Sequence, residues 1–416
     1  MSGPDLPTRQ VDVLVVGAGP AGLSAATELR RLGVDRVEVL EREGQPGGIH
    51  RHSRHTGYGL RDLHRVMTGP AYAQRLLDGA LAAGAVVRGL VTVTGWAGPL
   101  TVETSSPWGL DRIEAGAVLL ATGARERPRS ARLVPGDRPP GVLTTGQLQQ
   151  LVYLNGARLP GRAVVVGAEH VSFSAAVTLR HAGAEVAAMV TDLPRHQSFA
   201  AFRAGAAAAY RFPLLTGTRV TRIVGRGRLE GVELTRDDGS TRLIGCDTVV
   251  FTGDWVPDHE LARRAGLAMD AGSHGPVVDT TLQTSQPGVF AAGNLRHPVE
   301  TADVVSLDGR FAAASIVRFL AGRTAMPQEV AVQVDPPLRW VSPSRVGPGA
   351  PPPPLDRLTV WADEFALRAR LQVRQGDRVL WTGHRGTVVP NRALHVPAGW
   401  LGAVDVERGP VVIGVG

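Results

Sequence analysis

The chain has 416 residues, of which 43% are hydrophobic and 20% charged, so it can bury the cores of two or three domains. The single cysteine, Cys246, excludes an intrachain disulfide, a dithiol redox pair and an iron–sulfur cluster held by this chain alone, and the absence of lysine excludes Schiff-base chemistry. The 45 arginines are interspersed with 38 acidic residues, which argues against nucleic-acid binding.

No apolar run is long enough to cross a membrane, and residues 1–10 lack the apolar region of a signal peptide. We therefore expect a cytoplasmic protein with no transmembrane segment.

The first element in the chain is a strand, residues 11–16, which runs directly into a glycine-rich turn. A helix over residues 23–32 and a second strand over residues 37–40 follow, and that strand ends in an acidic residue. This order is the dinucleotide-binding fingerprint: glycines shape the turn, helix amides meet the pyrophosphate and the acid accepts ribose hydroxyls. The residues predicted to bind the dinucleotide here are Gly17, Gly19, Pro20, Ala21, Gly22, Glu41 and Arg42.

Two later segments resemble further parts of the FAD domain of flavoproteins that bind two dinucleotides. An apolar strand ends in Ala121, Thr122 and Gly123, and the pair Gly293 and Asn294 resembles the second flavin motif. That motif usually ends in aspartate, but an amide can also donate and accept hydrogen bonds there. A helix is predicted to begin at residues 307–309 and to direct its positive N-terminus at the flavin.

A second candidate nucleotide unit, residues 129–275, lies between these segments. Its strand, turn, helix and strand are in register, but Glu169 and Ser172 replace the second and third glycines of the turn. A carboxylate at that place would repel an incoming pyrophosphate, so NAD(P) binding is doubtful. A variant turn that still binds NAD(P)H remains the alternative.

The C-terminal quarter differs in composition from the rest of the chain. Residues 329–354, rich in proline and glycine, are predicted to be a linker, and residues 355–416 contain short alternating strands separated by turns. We expect a small β domain, whose best interpretation is a docking surface for another subunit.

In their order, these motifs resemble the FAD-dependent pyridine nucleotide-disulfide oxidoreductase superfamily over about residues 9–328. Residues 47–60 and 68–73 resemble more narrowly the alpha-type flavoprotein subunits of opine oxidase and hydrogen cyanide synthase, and the flavoproteins associated with glycerol-3-phosphate dehydrogenase. The resemblance implies an α/β fold of two Rossmann-like domains, FAD-binding residues 9–128 and 276–328 with the second domain inserted between them. It also implies FAD as cofactor, a small-molecule substrate and an electron-transfer partner or second dehydrogenase subunit.

Gly48 is a further predicted cofactor-binding residue, and the loop after it carries the predicted catalytic residues, His50, Arg51 and His55. In the disulfide-reductase branch of the superfamily, reactive cysteines stand where His50 and His55 stand here, so the resemblance places the loop near the flavin. A histidine with a pKa of about 6.5 suits general-base chemistry, and an arginine suits binding of a substrate carboxylate. Binding of the flavin phosphate by the histidines is an equal alternative, whereas a metal site is disfavoured because no cysteine or acid is interleaved with them.

The sequence therefore predicts an FAD-dependent dehydrogenase or oxidase subunit that oxidises an amino acid, an opine or a hydroxy compound without a redox disulfide. Two alternatives stay open: an NAD(P)H-dependent flavin reductase and a non-catalytic electron-relay flavoprotein.

Overall fold

The computed structural model describes residues 6–198, 212–298, 300–323, 328–384 and 386–416. The chain divides into two compact units. The first unit comprises Met1–Arg51, Thr56–Ala124 and Pro257–Gly416, and the second comprises His52–His55 and Arg125–Val256. Residues 199–211 of the predicted second domain, and 324–327 of the predicted FAD domain, lie outside the described residues.

The first part of the first unit is a parallel sheet extended by an antiparallel meander. Its sheet order is β5-β2-β1-β8-β7-β6, in which β1, β2, β5 and β8 are parallel. Strand β1, in the middle of the sheet, ends in a continuous apolar run, residues 13–16, because both faces of the sheet are covered there. The elements are β1 (Thr8–Val16), α1 (Pro20–Arg31), β2 (Val37–Leu40), β3 (Thr56–Tyr58), β4 (Met67–Thr68), α2 (Gly69–Ala82), β5 (Val86–Arg88), β6 (Thr92–Gly98), β7 (Thr101–Ser106) and β8 (Gly109–Leu120).

The second unit is a second Rossmann-like fold with an antiparallel three-stranded addition. Its parallel sheet has the order β10-β17-β11-β12-β13, and the addition has the order β14-β15-β16. The elements are β9 (Ala124–Glu126), β10 (Val142–Thr144), α3 (Thr145–Gln149), β11 (Gly161–Val166), α4 (His170–Ala182), β12 (Ala184–Val190), β13 (Leu214–Leu215), β14 (Thr218–Val224), β15 (Gly231–Arg236), β16 (Thr241–Gly245), β17 (Thr248–Phe251) and β18 (Trp255–Pro257). The predicted class, two Rossmann-like domains with the second inserted in the first, is confirmed.

The chain returns to the first unit at Pro257, earlier than the predicted boundary at residue 276. The segment 257–275 packs on β6, where the Trp96 indole Nε1 donates to the carbonyl oxygen of Leu261 at 2.9 Å. The elements that follow are α5 (Glu260–Arg264), β19 (Val289–Ala291), which pairs with β8, and α6 (Ala302–Leu320). No helix in the described part of the chain is long and apolar enough to cross a membrane.

The prediction that the last of these helices begins at residues 307–309 is wrong, because α6 begins at Ala302. Its first turn is stabilised by Asp303, whose carboxylate accepts hydrogen bonds from the Val304 amide at 3.0 Å and the Thr301 hydroxyl. Gly309 is an interior residue of α6 rather than its start.

The prediction that residues 329–354 are a linker is also wrong, because three strands form there and share one core with residues 355–416. The alternating valines before the proline run bury one face, and the proline run itself is the short connection. The strands are β20 (Val330–Val334), β21 (Leu338–Ser342), β22 (Arg345–Val346), β23 (Arg357–Ala362), β24 (Ala366–Leu367), β25 (Arg370–Gln375), β26 (Arg378–His384), β27 (Thr387–Val388), β28 (Leu394–Pro397) and β29 (Val411–Val415). We call this part, residues 330–416, the C-terminal β body; its two main sheets have the orders β22-β20-β29-β25-β26 and β21-β23-β28.

Helices α1 and α6 cross at very close range beneath the first glycine turn. A Cβ atom on Gly309 would lie 2.0 Å from the carbonyl oxygen of Ala21. One turn away, the buried hydroxyls of Ser24 and Ser306 are hydrogen-bonded at 2.7 Å. The small residues of α6 therefore allow it to support the helix whose N-terminus forms the turn.

We expect Gly309→Ala to destabilise the protein by about 2–3 kcal/mol, because the added methyl group has no space between the two helices. Urea unfolding followed by circular dichroism measures this. Gly79→Ala is the matched control, since Gly79 also lies inside a helix but has only the Thr27 hydroxyl, at 3.8 Å, near its Cβ position. It should stabilise by about 0.5–1 kcal/mol. Equal effects of the two substitutions would contradict the close packing of α1 and α6.

Candidate functional site: two glycine turns and a histidine loop

The first turn has the geometry that a dinucleotide requires. Gly17 adopts φ +104°, and a Cβ atom there would lie 2.5 Å from the carbonyl oxygen of Ala121. A Cβ atom on Gly22 would lie 1.9 Å from the Gly17 carbonyl oxygen, whereas nothing lies within 4 Å of that position on Gly19. Two glycines are thus required by the protein's own packing, and Gly19 leaves an open face at the N-terminus of α1, where a pyrophosphate can approach amides.

The helix that starts at this turn begins with Pro20, which is favoured at a first helical position because its missing N–H costs no hydrogen bond. Ala21 is buried under α6.

The acid at the end of β2 lies over the same turn. The carboxylate of Glu41 accepts hydrogen bonds from the amides of Ala18 at 3.1 Å and Glu43 at 3.0 Å. Its neighbour Arg42 is mostly exposed and forms an ion pair with Asp258 at 3.0 Å. Glu41 therefore has the position expected of a ribose ligand.

Asp258 also organises the segment 121–123, although its sequence context did not single it out. The Thr122 hydroxyl donates to the Asp258 carbonyl oxygen at 2.8 Å, and the Asp258 amide donates to the Gly123 carbonyl oxygen at 2.9 Å. Ala121 continues β8, and its amide donates to Val16 at 2.8 Å. In the sequence, Asp258 could have been found only from its position directly after β18, the strand that returns the chain to the first unit.

In the second flavin motif, the side chain of Asn294 bonds to the backbone of Glu300. Gly293 adopts φ +67°, and a Cβ atom there would lie 2.8 Å from Cγ1 of Val305. The Asn294 side chain accepts from the Glu300 amide at 2.8 Å and donates to the Glu300 carbonyl oxygen at 3.4 Å. An aspartate could not donate the second bond, which gives a physical reason for the amide at this position.

The histidine loop begins against the first turn. Gly48 adopts φ +64°, and a Cβ atom there would lie 3.1 Å from Cα of Gly19. His50 follows in the short helical turn Gly48–His52, half-buried, with its ring edge-on to Tyr58 at 5.2 Å and to Tyr72 at 6.0 Å between centroids. The sequence did not single out these tyrosines.

Tyr72 anchors the aromatic wall beside His50. Its ring is fully buried and stacks on Tyr58 with centroids 5.9 Å apart. Its hydroxyl donates to Asp62 at 2.7 Å, and burial raises the pKa of the phenol far above its usual value.

The other two predicted catalytic residues are placed differently. The Arg51 guanidinium is paired with Glu43 and donates to the Gly48 carbonyl oxygen at 3.3 Å. His55 is exposed and belongs to the second unit, whereas His50 belongs to the first. Within the described residues, no group of three or more His, Cys, Asp or Glu side chains could hold a metal ion.

The second turn reproduces the backbone of the first. The amide of Gly17 donates to Leu40 at 2.8 Å, and that of Gly167 donates to Val190 at 2.7 Å. In the same way, Gly47 donates to Ala18 at 2.8 Å and Gln197 donates to Ala168 at 3.0 Å. The two turns can therefore be compared position by position.

The side chains of the second turn are very different. Glu169 is buried, and its carboxylate accepts from the amide of Ala168 at 2.9 Å and from the hydroxyl of Thr252 at 2.7 Å. At the start of α4, the Ser172 hydroxyl accepts from the backbone amide of Glu169 at 3.2 Å, and the Ser172 amide donates to the backbone carbonyl oxygen of Glu169 at 3.1 Å. An internal carboxylate thus occupies the helix N-terminus at which a nucleotide phosphate would bind.

The ribose position of the second turn has changed as well, which sequence reasoning missed. The residue that corresponds to Glu41 is Thr191, which follows Val190 at the end of β12. Thr191 is buried, and its hydroxyl accepts from the Leu193 amide at 3.3 Å. The signal was available in the sequence, since Thr191 follows the second strand just as Glu41 follows the first.

A second buried carboxyl group lies in the same unit. Burial raises the pKa of Glu126 to about 7, and the charge of Glu169 acts in the same direction. The Gly146 amide donates to Glu126 at 2.9 Å. Arg132 donates to the carbonyl oxygens of Thr252 at 3.0 Å and Gly253 at 2.7 Å.

Comparison with known proteins agrees with this geometry. The family model described as pyridine nucleotide-disulphide oxidoreductase matches residues 11–309. Ferredoxin–NADP reductase of Salinispora tropica is 32% identical over 299 residues, which cover 69% of this chain and 86% of that protein. An opine oxidase subunit of Agrobacterium tumefaciens is 28% identical over 333 residues, which cover 73% of this chain and 64% of that protein.

Among solved structures, thioredoxin reductase of T. acidophilum has a TM-score of 0.64 at 24% identity, covers 76% of this chain and is itself covered completely. The chain belongs to the pyridine nucleotide-disulphide oxidoreductase family. It is an FAD flavoprotein with two Rossmann-like domains and without a redox disulfide. The open face of Gly19, the acid at Glu41 and the close contact of Gly48 with the first turn all fit FAD.

The raised pKa of Glu126 predicts a pH dependence of stability. Between about pH 4.5 and 7 the unfolded chain has released this proton while the folded chain retains it, so the group's stabilising contribution is lost as pH rises. Glu126→Gln keeps an acceptor for Gly146 and removes the titration. Relative to the wild type, the variant should gain about 3 kcal/mol or less between pH 5 and pH 8, measured by urea unfolding.

Glu185→Gln, at an exposed position on β12, serves as the control and should follow the wild type at both pH values. A wild-type protein whose stability relative to Glu126→Gln stays constant from pH 5 to pH 8 would contradict the burial of a neutral Glu126.

Proposed function

We propose that the protein is the flavoprotein subunit of an oxidoreductase that oxidises a small polar substrate, such as an amino acid, an opine or a hydroxy compound. In this proposal the electrons leave to a partner protein and do not come from NAD(P)H. The observation that carries it is the carboxylate of Glu169, which is hydrogen-bonded inside the second glycine turn.

Two physical effects of Glu169 support the absence of NAD(P)H from the reaction. Its carboxylate lies at the N-terminus of α4, hydrogen-bonded to the Ala168 amide, and its negative charge would repel a phosphate there. Displacing it would break the hydrogen bonds to the Ala168 amide and the Thr252 hydroxyl. Thr191 occupies the position of a ribose-binding acid, which also argues against NAD(P)H binding.

The histidine loop supports a proton-transfer role for His50. Bound FAD would supply the hydride acceptor. His50 would take the proton from the substrate's amine or hydroxyl group, because it is half-buried and held by Tyr58 and Tyr72 beside the first turn. We assign Arg51 to holding the loop, since Glu43 already neutralises its charge. His55 remains the second candidate base.

The relatives divide between two functions. The opine oxidase relative is by name one subunit of a larger enzyme, and the chain spans 64% of its length, which supports a substrate-oxidising complex. The ferredoxin–NADP reductase, at 32% identity, favours an NAD(P)H-driven reductase as the second candidate. The intact backbone of the second turn is compatible with that candidate, whereas the side chains of Glu169 and Thr191 argue against it.

Anaerobic mixing with NADH or NADPH separates these candidates. We expect no bleaching of the flavin absorption band in the wild-type protein within the time of a turnover. Glu169→Gly should bind NAD(P)H at least about tenfold more tightly, measured by calorimetry, because it removes the carboxylate and its charge from the N-terminus of α4 and glycine is tolerated at a helix N-cap.

Glu169→Gln is the matched control, because it removes the charge and keeps the side chain in the turn, and its gain should be smaller. Prompt bleaching of the wild-type flavin by either nucleotide would establish the reductase instead.

Substitution at His50 tests the proton transfer. With substrates drawn from amino acids, opines and hydroxy acids, His50→Asn should lower kcat at neutral pH by about 10²–10⁴. FAD should still bind, as shown by its absorption spectrum. His55→Asn is the paired variant and should retain most of the activity.

If His50→Asn keeps full turnover, His50 is not the base. A loss confined to His55→Asn would assign that role to His55.

A further inference from the structure

The segment between the second flavin motif and α6, residues 295–298 and 300, contacts the C-terminal β body through three side chains. The Arg296 guanidinium donates to the hydroxyl of Ser342 at 3.0 Å and is paired with Asp308. The ring of His297 stacks on Trp340, with centroids 4.9 Å apart. Arg296 and His297 are both buried, so these contacts belong to the folded interior of the first unit.

A third contact connects the C-terminal β body with the second flavin motif. His395 lies on β28, and its Nε2 is 3.1 Å from Oε1 of Glu300, whose side chain is 8% exposed. The backbone amide and carbonyl of Glu300 are the two groups that bond to the Asn294 side chain, at 2.8 and 3.4 Å. Glu300 therefore links the two residues, since its side chain contacts His395 and its backbone bonds to Asn294.

The burial of Glu300 makes its partner important. A carboxylate that has lost most of its water needs a hydrogen-bond donor, and removing that donor is costly. A Glu300 side chain without His395 would turn toward solvent and pull on the backbone that bonds to Asn294. The conformation of the second flavin motif thus depends on a residue almost a hundred positions further along the chain.

We propose that His395 is a positioning residue for FAD. Through Glu300, the C-terminal β body holds Asn294 and Gly293 in the conformation that receives the flavin side of the cofactor. This role requires that the protein bind FAD and does not depend on the reaction proposed above. It gives the C-terminal β body a function inside the chain, where its sequence had suggested a docking surface for another subunit.

The test measures FAD affinity by titration of the apoprotein, together with the flavin absorption spectrum and the midpoint potential. Glu300→Ala is the first variant, because it removes the carboxylate that His395 contacts and leaves the backbone groups that bond to Asn294. His395→Ala removes the other partner, and His395→Gln retains an amide donor. We expect His395→Ala and Glu300→Ala each to weaken FAD binding about tenfold, and their combination to be less than additive.

Two comparisons separate positioning from general loss of stability. His395→Gln should recover most of the affinity. Arg374→Ala removes an ion pair with Asp335 at 2.6 Å elsewhere in the C-terminal β body, and it should leave FAD affinity and potential unchanged.

Wild-type affinity and spectrum in Glu300→Ala would overturn the proposal, whether or not His395→Ala folds. An equal loss in Arg374→Ala would overturn it as well, because the effect would then be one of general stability. Because the readout is FAD affinity, a failed search for a substrate has no bearing on the outcome.

Discussion

The hydrogen-bond donor on which the protein's chemistry depends is the backbone amide just after the first glycine of each turn. In the first unit the Ala18 amide meets Glu41, an acid from the neighbouring strand, and the N-terminus of α1 stays open beside Gly19. In the second unit the Ala168 amide meets Glu169, an acid within the turn itself. The same backbone therefore leaves a helix N-terminus open in one unit and places a carboxylate at it in the other.

The residue types available around the first turn limit the reactions that the protein can catalyse. The presence of a single cysteine excludes dithiol chemistry. Cys246 is also buried, and burial raises the pKa of its thiol to about 12, so it is a poor nucleophile. With no lysine in the chain, we assign proton transfer near the flavin to a histidine, because its usual pKa suits proton transfer at neutral pH. His50 combines partial burial with an aromatic wall, which is why the proposed reaction depends on it.

The fold and the first turn were predictable because their signals are local. The glycine turn and Glu41 lie within about thirty residues of each other, and each glycine has a steric reason that the structure reproduces. The damage to the second turn was equally visible at Glu169, although the sequence predicted only repulsion and not that the carboxylate would bind the turn itself.

What the sequence did not reveal depends on contacts between distant residues. Gly309 reads as a helix start until its contact with Ala21 is known. Residues 330–346 read as a linker because the proline run that follows them is conspicuous, and their partners in the core come from strands later in the chain. The bond between His395 and Glu300, like the unit boundary between Arg51 and His52, cannot be inferred from spacing.

The most direct measurement is a crystal structure of the FAD-loaded protein soaked with NADPH. We predict FAD with its pyrophosphate at the first turn and Glu169 still bonded to the Ala168 amide, with no nucleotide beside it. A pyrophosphate at the N-terminus of α4, with the Glu169 side chain displaced, would contradict this prediction.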